Sequence, residues 1–416
     1  MSKKIIAITA ASYSGNKGAA AMLQSSISAL HERYKDDLQI NLMSVYPSED
    51  IKQIPFDFIN VVSCKPEQII FIAFPLAILY KILGWFPGVK SLISKNKIIK
   101  AFKESTLVID EAGISFVDSR GFVMNTYAFI CGAVPMLVGT PVCKYSQAMG
   151  TFKNLYNRML AKIILPKYKL ICARGEATFA NLKEIGIENN VRLCADGAFL
   201  MPDSKEWADN VNKVAQEDDF YKKDIVGLSI SSVVERKCEK RGIPYKQIMV
   251  EFIEYLSKEG YGVLLIANAA RINSVKPRNN DLMVGDVIFE AVKDKENVRW
   301  YHKEMDAEEI REYISKCRFL VASRFHAMVG ALEKKIPVFL VGWSHKYKEV
   351  MDMFHLGQYA IDYSNMNIKI LKDGFENFVS NESQIRTNLE EYHEIVMECS
   401  ALNMVYITEI IDRIEK

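Results

Sequence analysis

Residues 319–347 have the pattern of a complete strand–helix–strand unit. Residues 319–322 form a short apolar run that is typical of a buried strand, and the small-residue run at 327–332 favours a helix. Residues 336–341 form a second apolar strand. Two strands joined through a helix pair in parallel, so this stretch predicts an α/β fold built on parallel sheet.

Polar residues follow both strands of this unit. Ser323, Arg324 and His326 come directly after the first strand, and His345 and Lys346 follow the second. Ligands of open α/β sheets bind beyond the carboxyl ends of the strands, and two cations beside a helix start indicate an anionic ligand. A histidine there can exchange a proton near neutral pH. The alternative is that Arg324 and His326 pair with carboxylates elsewhere in the chain.

The sequence SRFHA at 323–327, with the strand and the lysine-bearing loop after it, resembles a motif of the polysaccharide pyruvyl transferases, [ST]-R-x-H-[AS]. Further matching pieces occur in family order from Gly15 to about Tyr363. The resemblance implies an α/β fold with two Rossmann-like domains, whose parallel sheets face each other across a cleft as in GT-B glycosyltransferases.

The resemblance and the composition of the segments together predict four parts. Residues 1–200 are expected to form an N-terminal Rossmann-like domain on the acceptor side, with an apolar insert at 66–88. Residues 201–224 are rich in charge and poor in periodicity, which indicates a linker. Residues 225–370 are expected to form the donor-side domain, and residues 371–416 to form helices that pack back on the N-terminal domain.

Most individual strands follow from β-branched and apolar runs between turn residues. Strands are predicted at 3–10, 37–45, 60–63, 106–110, 135–138, 142–147, 169–173, 191–195, 225–231, 262–267 and 298–301. The last part, residues 383–416, is predicted to form two helices.

Polar residues also follow strands in the first half. Gly15 and Asn16 lie in a glycine-containing loop between a strand and a helix, a layout typical of phosphate-binding turns. They resemble the family's opening G-N-x-G element and are expected on the acceptor side. Gln147 ends a strand and resembles the family's Q-x-x-G element, which places it at the cleft.

Two charged residues of the first half are site candidates with open alternatives. Asp118 matches the acidic position of the family's glycine-rich loop, although Glu111 and Ala112 replace glycines there. It is expected to hold a sugar hydroxyl or act as a base, or else to cap the next helix. Arg174 matches the family's A-R-D element and is a candidate anion contact, or else forms a salt bridge to a neighbouring helix.

Composition excludes some classes of function. The 416 residues carry a formal net charge of +2, which gives no case for a nucleic-acid binder. The eight cysteines form no C-x-x-C pair, so neither a zinc site nor a redox pair is indicated, and we expect no bound metal. Cysteines inside apolar strands favour a reducing cytoplasm. The amino terminus does not indicate a signal peptide.

The apolar segment at 69–86 raises the question of a membrane. It contains Pro75 and Lys81, and its uncharged run at 68–80 is too short to span a bilayer. The segment could be a buried core helix. Its Phe, Ile, Leu and Trp content, with lysines following at 90–100, favours instead a helix in the membrane interface. A peripheral contact on the cytoplasmic face of the membrane is therefore expected, with a lipid-linked acceptor.

The resemblance implies transfer of a pyruvyl group from phosphoenolpyruvate to two hydroxyls of a sugar, with formation of a cyclic ketal and release of phosphate. His326 and Asp118 are the implied catalytic residues. The donor would be bound by Arg324, Lys346, Arg174, Ser323 and His345. No cofactor is expected, since phosphoenolpyruvate is itself the donor substrate.

Two other functions remain open at this point. A GT-B glycosyltransferase could use the same architecture with a nucleotide-sugar donor. A non-catalytic subunit of a polysaccharide assembly system could retain the fold after losing the chemistry. The sequence names neither the acceptor sugar nor the oligomeric state, and a homo-oligomer is left open.

Overall fold

The structure is a computed structural model that describes residues 3–14, 16–270, 280–342 and 345–414; of residues 345 and 346 it describes the backbone. The chain divides into two compact units. The first consists of Met1–Met201 together with Glu398–Lys416, and the second of Pro202–Met397.

The first unit contains a seven-stranded parallel sheet with the strand order β3-β2-β1-β4-β5-β6-β7. Its strands are β1 (Lys4–Thr9), β2 (Leu38–Ser44), β3 (Ile59–Ser63), β4 (Leu107–Asp110), β5 (Val142–Gln147), β6 (Leu170–Arg174) and β7 (Val191–Cys194).

Helices connect successive strands of this sheet, as parallel pairing requires. They are α1 (Lys17–Tyr34), α2 (Pro47–Gln53), α3 (Pro66–Gln68), α4 (Phe74–Leu83), α5 (Pro87–Ile93), α6 (Lys97–Glu104), α7 (Gly121–Leu137), α8 (Leu155–Ile164) and α9 (Glu176–Glu184). A π-helical turn, Ile69–Ala73, joins α3 to α4.

The second unit contains a six-stranded parallel sheet with the strand order β10-β9-β8-β11-β12-β13. Its strands are β8 (Ile225–Ile230), β9 (Gly262–Ala267), β10 (Val298–Trp300), β11 (Phe319–Ala322), β12 (Val338–Gly342) and β13 (Ala360–Asp362).

Helices again lie between the strands of the second sheet and after it. They are α10 (Lys205–Glu217), α11 (Ser232–Glu239), α12 (Tyr245–Lys258), α13 (Leu282–Ala291), α14 (Ala307–Ser315), α15 (Phe325–Glu333), α16 (His345–Met353), α17 (Ile368–Ser380) and α18 (Glu382–Ile414). Helix α18 begins in the second unit, and from Glu398 onward it belongs to the first.

Both sheets share one topology. The first strand of each unit lies at the centre, the next two strands lie to one side, and the fourth pairs with the first on its other side. The chain direction across the sheet therefore reverses between β1 and β4, and between β8 and β11. Loops on either side of such a reversal diverge and leave a crevice at the carboxyl ends of the strands, where doubly wound proteins bind ligands.

The predicted α/β fold with two parallel sheets is confirmed, and most predicted strands coincide with observed ones. The strand predicted at 135–138 is wrong, because these residues belong to the end of helix α7 and the turn after it. Residues 383–416 do not form two helices, since α18 is continuous through Ile414. The segment predicted as a linker, 201–224, contains helix α10, whose Val211 is buried within the second unit.

Helix residues Pro66–Leu83 are strongly apolar and only partly buried. Among the described residues this is the one helix long and apolar enough to cross a membrane, with a mean hydropathy of 1.5 and 17% of it buried. It is longer than the uncharged run because it includes Glu67 and Lys81. One side packs through Ile69, Ala73 and Ala77 into the core of the unit.

Candidate active site

The best-defined polar cluster of the second unit lies where β8 and β11 run side by side. Asp281, which precedes α13, accepts hydrogen bonds from the backbone N–H groups of Ser232 and Ala269, both at 2.9 Å. Ser232 follows β8 and Ala269 follows β9. This carboxylate therefore ties together the carboxyl ends of two neighbouring strands at the reversal point.

Arg324, which follows β11, pairs with this carboxylate. Its Nε donates to Asp281 Oδ2 at 2.9 Å, and its Nη2 contacts Asp281 Oδ1 and donates to Ser232 Oγ at 3.2 Å. The Asp281 side chain is fully buried and that of Arg324 is 14% exposed. Two parallel N–H···O contacts fix both the position and the plane of the guanidinium. Among the described residues, none accepts a hydrogen bond from its Nη1.

Ser323 and His326 flank this arginine in the chain. Ser323 is buried, and its N–H donates to the Ser229 carbonyl at 2.9 Å, which continues the pairing of β11 with β8. Arg324 is the N-cap residue of α15, and His326 is the second residue of that helix. The half-buried His326 ring meets the Phe325 ring edge-on, with the ring centroids 5.0 Å apart. The structure therefore places the three residues together at the start of one helix.

Three predicted site residues cannot be placed by their side chains. Gly15 lies outside the described residues. Helix α16 begins at His345, and β12 ends at Gly342. Since β12 pairs in parallel with β11, the carboxyl end of β12 lies at the same edge of the sheet as Arg324. The donor-binding roles of His345 and Lys346 remain predictions.

In the first unit, Gln147 belongs to a buried polar network at the ends of β4 and β5. Lys144 Nζ lies 2.6 Å from Asp110 Oδ2 and donates to Gln147 Oε1 at 3.0 Å. Gln147 Nε2 donates to Asp110 Oδ1 at 2.9 Å, and Ser115 Oγ donates to Gln147 Oε1 at 2.6 Å. All four residues are buried. Through its contacts with Asp110 and Ser115, Gln147 thus holds the loop after β4 in place.

Glu111 adds a second buried carboxyl directly after β4. It is 1% exposed, lies beside Ser26 of α1, and its backbone N–H donates to the Thr9 carbonyl at 3.0 Å. Burial raises the pKa of its carboxyl to about 8, the Ser26 side chain acts against this rise, and the charge of Asp110 adds to it. Tyr145 also faces it, and burial raises the pKa of that phenol well above its usual range.

The raised pKa of Glu111 predicts a pH-dependent stability. The folded state retains this proton up to about pH 8, whereas the unfolded chain loses it near 4.5, so stability falls between these two values. By pH 7 the loss amounts to roughly 3 kcal/mol. We expect Glu111→Gln to remove this loss, so that the stability difference between variant and wild type grows in favour of the variant from pH 5 to pH 8.

Denaturant unfolding at pH 5, 6, 7 and 8 measures this difference. Glu184→Gln is a matched control, because Glu184 is an exposed residue at the end of α9 in the same unit. Its difference from wild type should stay constant over this range. A pH-independent difference for Glu111→Gln would contradict the prediction.

Arg174 is buried at the end of β6 and forms an ion pair with Asp196. The distance from Arg174 Nη1 to Asp196 Oδ2 is 2.6 Å, and both side chains are almost fully buried. Asp196 also accepts from the Ala198 N–H at 2.9 Å, which caps the short turn after β7. A salt bridge is therefore observed, but its partner stands at the turn after β7 and not on a neighbouring helix as the alternative had it. An anion contact of Arg174 remains a prediction.

Asp118 organises the loop before α8. Its carboxylate accepts from the Lys153 N–H at 2.9 Å, the Asn154 N–H at 3.2 Å, Thr151 Oγ1 at 3.0 Å and Asn157 Nδ2 at 2.8 Å. Four donors on one carboxylate fix its orientation. These contacts hold the segment that leads into α8, whose N-cap residue is Asn154, so Asp118 does not itself cap a helix. A catalytic role for Asp118 remains a prediction.

Asn16 is exposed at the N-cap of α1, where its Oδ1 accepts from the Gly18 N–H at 2.9 Å. The loop before it is held by Asp50, a fully buried residue of α2. Asp50 accepts from Ser12 Oγ at 3.2 Å and from the N–H and Oγ of Ser14 at 2.8 and 2.6 Å. The loop after β1 is thereby anchored to α2.

None of the cysteines forms a disulfide in the part of the chain that the structure describes. All eight cysteines are free thiols, and burial raises the pKa of Cys64 and Cys317 to about 12. These two thiols are therefore neutral and act as small apolar side chains. Within the same residues, no group of three or more His, Cys, Asp or Glu side chains is placed to hold a metal ion.

Comparison with solved structures defines the class of the protein first. A Listeria monocytogenes protein assigned as a UDP-N-acetylglucosamine 2-epimerase superposes with a TM-score of 0.63 at 12% identity, covering 99% of this chain and 98% of that one. Anabaena Alr3699/HepE, in complex with UDP and glucose, gives 0.55 at 14% identity, with 99% of each chain covered. At such identities the likeness shows the fold alone, and this fold is that of the GT-B glycosyltransferases and related epimerases.

The family is defined by sequence. The model of the polysaccharide pyruvyl transferase family matches residues 16–345, which is most of the chain. This protein therefore belongs to the polysaccharide pyruvyl transferase family. Among curated proteins, no similar sequence was found.

Proposed function

We propose that this protein transfers the pyruvyl group of phosphoenolpyruvate to two hydroxyls of a sugar in a polysaccharide precursor. The observation that carries the proposal is the guanidinium of Arg324, which Asp281 holds at the reversal point of the second sheet, in a chain of this family. Phosphoenolpyruvate carries a carboxylate and a phosphate, and both are planar or bidentate acceptors for such a group.

The donor would be bound by positive charge and by backbone N–H groups. Arg324 offers its Nη1, and the start of α15 offers the partial positive charge of a helix N-terminus. Lys346 and His345 follow the neighbouring strand and would close around the second anionic group. Ser323 shapes the backbone between the strand and the helix.

Pyruvyl transfer requires one proton to arrive and two to leave. Protonation of C3 turns the methylene group into a methyl group and makes C2 electrophilic. Two sugar oxygens then form bonds to C2, the bond from C2 to the phosphate oxygen breaks, and phosphate departs. Of the two hydroxyl protons, one balances that on C3 and the other leaves with phosphate. The reaction needs no redox cofactor.

We assign the proton transfer at C3 to His326, because it lies two residues from Arg324 at the same helix start. An imidazole can give and take a proton near neutral pH, which suits a step of general acid–base catalysis. On the acceptor side, Asn16 and the loop above Gln147 would contact the sugar, and Asp118 would act there as a base or as a hydroxyl ligand.

The acceptor would be carried on a lipid at the cytoplasmic face of a membrane. Helix Pro66–Leu83 supports this assignment, since its outer side exposes large apolar residues; Phe71 is 75% exposed and Ile82 is 62% exposed. A helix that packs through one side and exposes an apolar other side fits a position in the membrane interface. Peripheral contact would bring the enzyme to a lipid-linked precursor.

Incubation of the purified protein with phosphoenolpyruvate and a lipid-linked saccharide extract tests this function. We expect the release of phosphate and a saccharide product that is heavier by one C₃H₂O₂ unit, which is what the pyruvate ketal adds to the two hydroxyls. A parallel incubation replaces phosphoenolpyruvate with a nucleotide sugar. Glycosyl transfer there, without a ketal product from phosphoenolpyruvate, would make the protein a glycosyltransferase.

A further inference from the structure

A lysine-lined pocket lies on the surface of the first unit, at helices α5 and α6. Its volume is about 660 Å³, and it is lined by Pro87, Lys90, Ser91, Ser94, Lys95, Lys100 and Lys103. All four lysines are exposed. In the part of the chain that the structure describes, one of them has a carboxylate partner, Lys100 with Glu104 at 3.7 Å. The pocket therefore carries a net positive charge.

An exposed apolar surface adjoins this pocket, and we call it the apolar face. The helices that carry it are adjacent: α4 packs against α5 and α7, and α7 packs against α8. The large apolar side chains that define it are Phe71, Ile82, Trp85, Leu92, Phe122 and Leu155, all of them more than half exposed. Several large apolar side chains exposed on adjacent helices are typical of an interaction site.

Tyr80 joins the pocket to the apolar face. It lies on α4, and its ring is approached by Lys90 Nζ at 5.6 Å and by Lys103 Nζ at 5.2 Å from the ring centroid. Lys103 also donates to Ser94 Oγ at 2.8 Å, which holds α5 and α6 together at the pocket. Trp85 and Phe86 follow α4 directly, with their ring centroids 4.2 Å apart. Positive charge and large aromatic side chains therefore occur side by side.

We propose that this pocket binds the phosphate headgroup of an anionic membrane lipid while the apolar face enters the acyl boundary beside it. Four lysines next to exposed Trp and Phe match the two layers of an anionic bilayer surface, phosphate outside and hydrocarbon within. The inference rests on the membrane contact proposed above and adds its headgroup site, its lipid charge class and the participation of α7 and α8.

Charge and apolar burial make separable contributions to such binding. Each lysine near an anionic surface contributes through its attraction to the headgroups, and the removal of two should weaken binding about 30-fold. The contribution of the apolar side chains does not depend on lipid charge. Binding to anionic vesicles should therefore weaken as salt is raised, and a residual binding to neutral vesicles should not.

Sedimentation of the full chain with vesicles tests the proposal. Vesicles of phosphatidylcholine alone are compared with vesicles that contain phosphatidylglycerol. We expect wild type to favour the anionic vesicles, and Lys95→Ala/Lys100→Ala to lose this preference by about 30-fold. The control pair, Lys240→Ala/Lys258→Ala, removes two exposed lysines of the second unit and should bind as wild type. Phe71→Ser/Trp85→Ser should weaken binding to both kinds of vesicle.

Two results would overturn the proposal. One is equal binding of wild type and Lys95→Ala/Lys100→Ala to anionic vesicles. The other is a wild type that binds inorganic phosphate at the pocket but no vesicle, which would make the site one for a soluble anion. The phosphoenolpyruvate affinity of each variant, measured in parallel without vesicles, keeps a failure of this site separate from a failure of the donor site.

Discussion

Arg324→Ala is expected to weaken the binding of phosphoenolpyruvate roughly 100-fold and to lower the free energy of unfolding by about 3 kcal/mol. The first effect follows from the loss of the guanidinium that Asp281 orients at the reversal point of the second sheet. The second follows from Asp281, whose carboxylate is fully buried and would lose its charged partner. Asp281 keeps two backbone N–H donors in the variant. The decrease in the free energy of unfolding should therefore lie at the lower end of the range for broken buried ion pairs.

Titration calorimetry with phosphoenolpyruvate and denaturant unfolding measure the two effects. Arg299→Ala is a matched control in the same unit, since Arg299 holds Asp218 through Nε at 2.7 Å and Nη2 at 2.8 Å, again with two parallel contacts. That pair is about 30% exposed on each side, so its loss should cost less stability and leave donor affinity unchanged. Wild-type affinity in Arg324→Ala would remove this residue from the donor site.

His326→Ala is expected to lower the rate of pyruvyl transfer about 1,000-fold while changing the affinity for phosphoenolpyruvate by less than about threefold. The reason is that the imidazole would act in the transition state, where C3 takes up its proton, and contributes little to holding the donor. The rate at saturating donor and the dissociation constant from calorimetry separate the two effects.

His302→Ala is the control for His326→Ala. That histidine lies in the same unit, its side chain is 51% exposed, and its Nδ1 pairs with Asp286 at 2.6 Å. The change should leave the rate within about twofold of wild type, as for most surface substitutions. A His326→Ala protein that retained a near wild-type rate would show that the proton comes from another group.

The sequence predicted the two sheets well because their strands are short apolar runs between polar turns. Residues 142–147 and 262–267 were bounded as observed, since glycine, proline or polar residues stand at each end. The run at 135–138 was misassigned because a short apolar stretch before Gly-Thr-Pro has no periodicity that separates a strand from the last turn of a buried helix. Only the packing of the whole of α7 decides between them.

The site was predicted less completely than the fold. Arg324 and His326 were found because they follow an apolar strand, but Asp281, the partner that fixes Arg324, lies 43 positions earlier in the chain. Asp281 directly precedes helix α13, but the contact to the Leu282 N–H there is made by Asn280, at 3.3 Å. Tertiary pairing of this kind leaves no local signal.

One buried ion pair of the first unit could have been predicted from the sequence. Lys144 stands in the middle of an otherwise uncharged strand, and Asp110 ends another. A charge within a buried parallel strand needs a partner of opposite sign, and neighbouring strands are where such a partner can lie. Applied to these two strands, this rule would have paired Lys144 with Asp110.

The most direct test of the central claim is a calorimetric titration of the wild-type protein with phosphoenolpyruvate, beside the same titration with a UDP-sugar. The account predicts saturable binding of phosphoenolpyruvate, with inorganic phosphate as a weaker competitor, and no binding of the UDP-sugar. Saturable binding of the UDP-sugar alone would contradict it and would make nucleotide-sugar chemistry the function of this site.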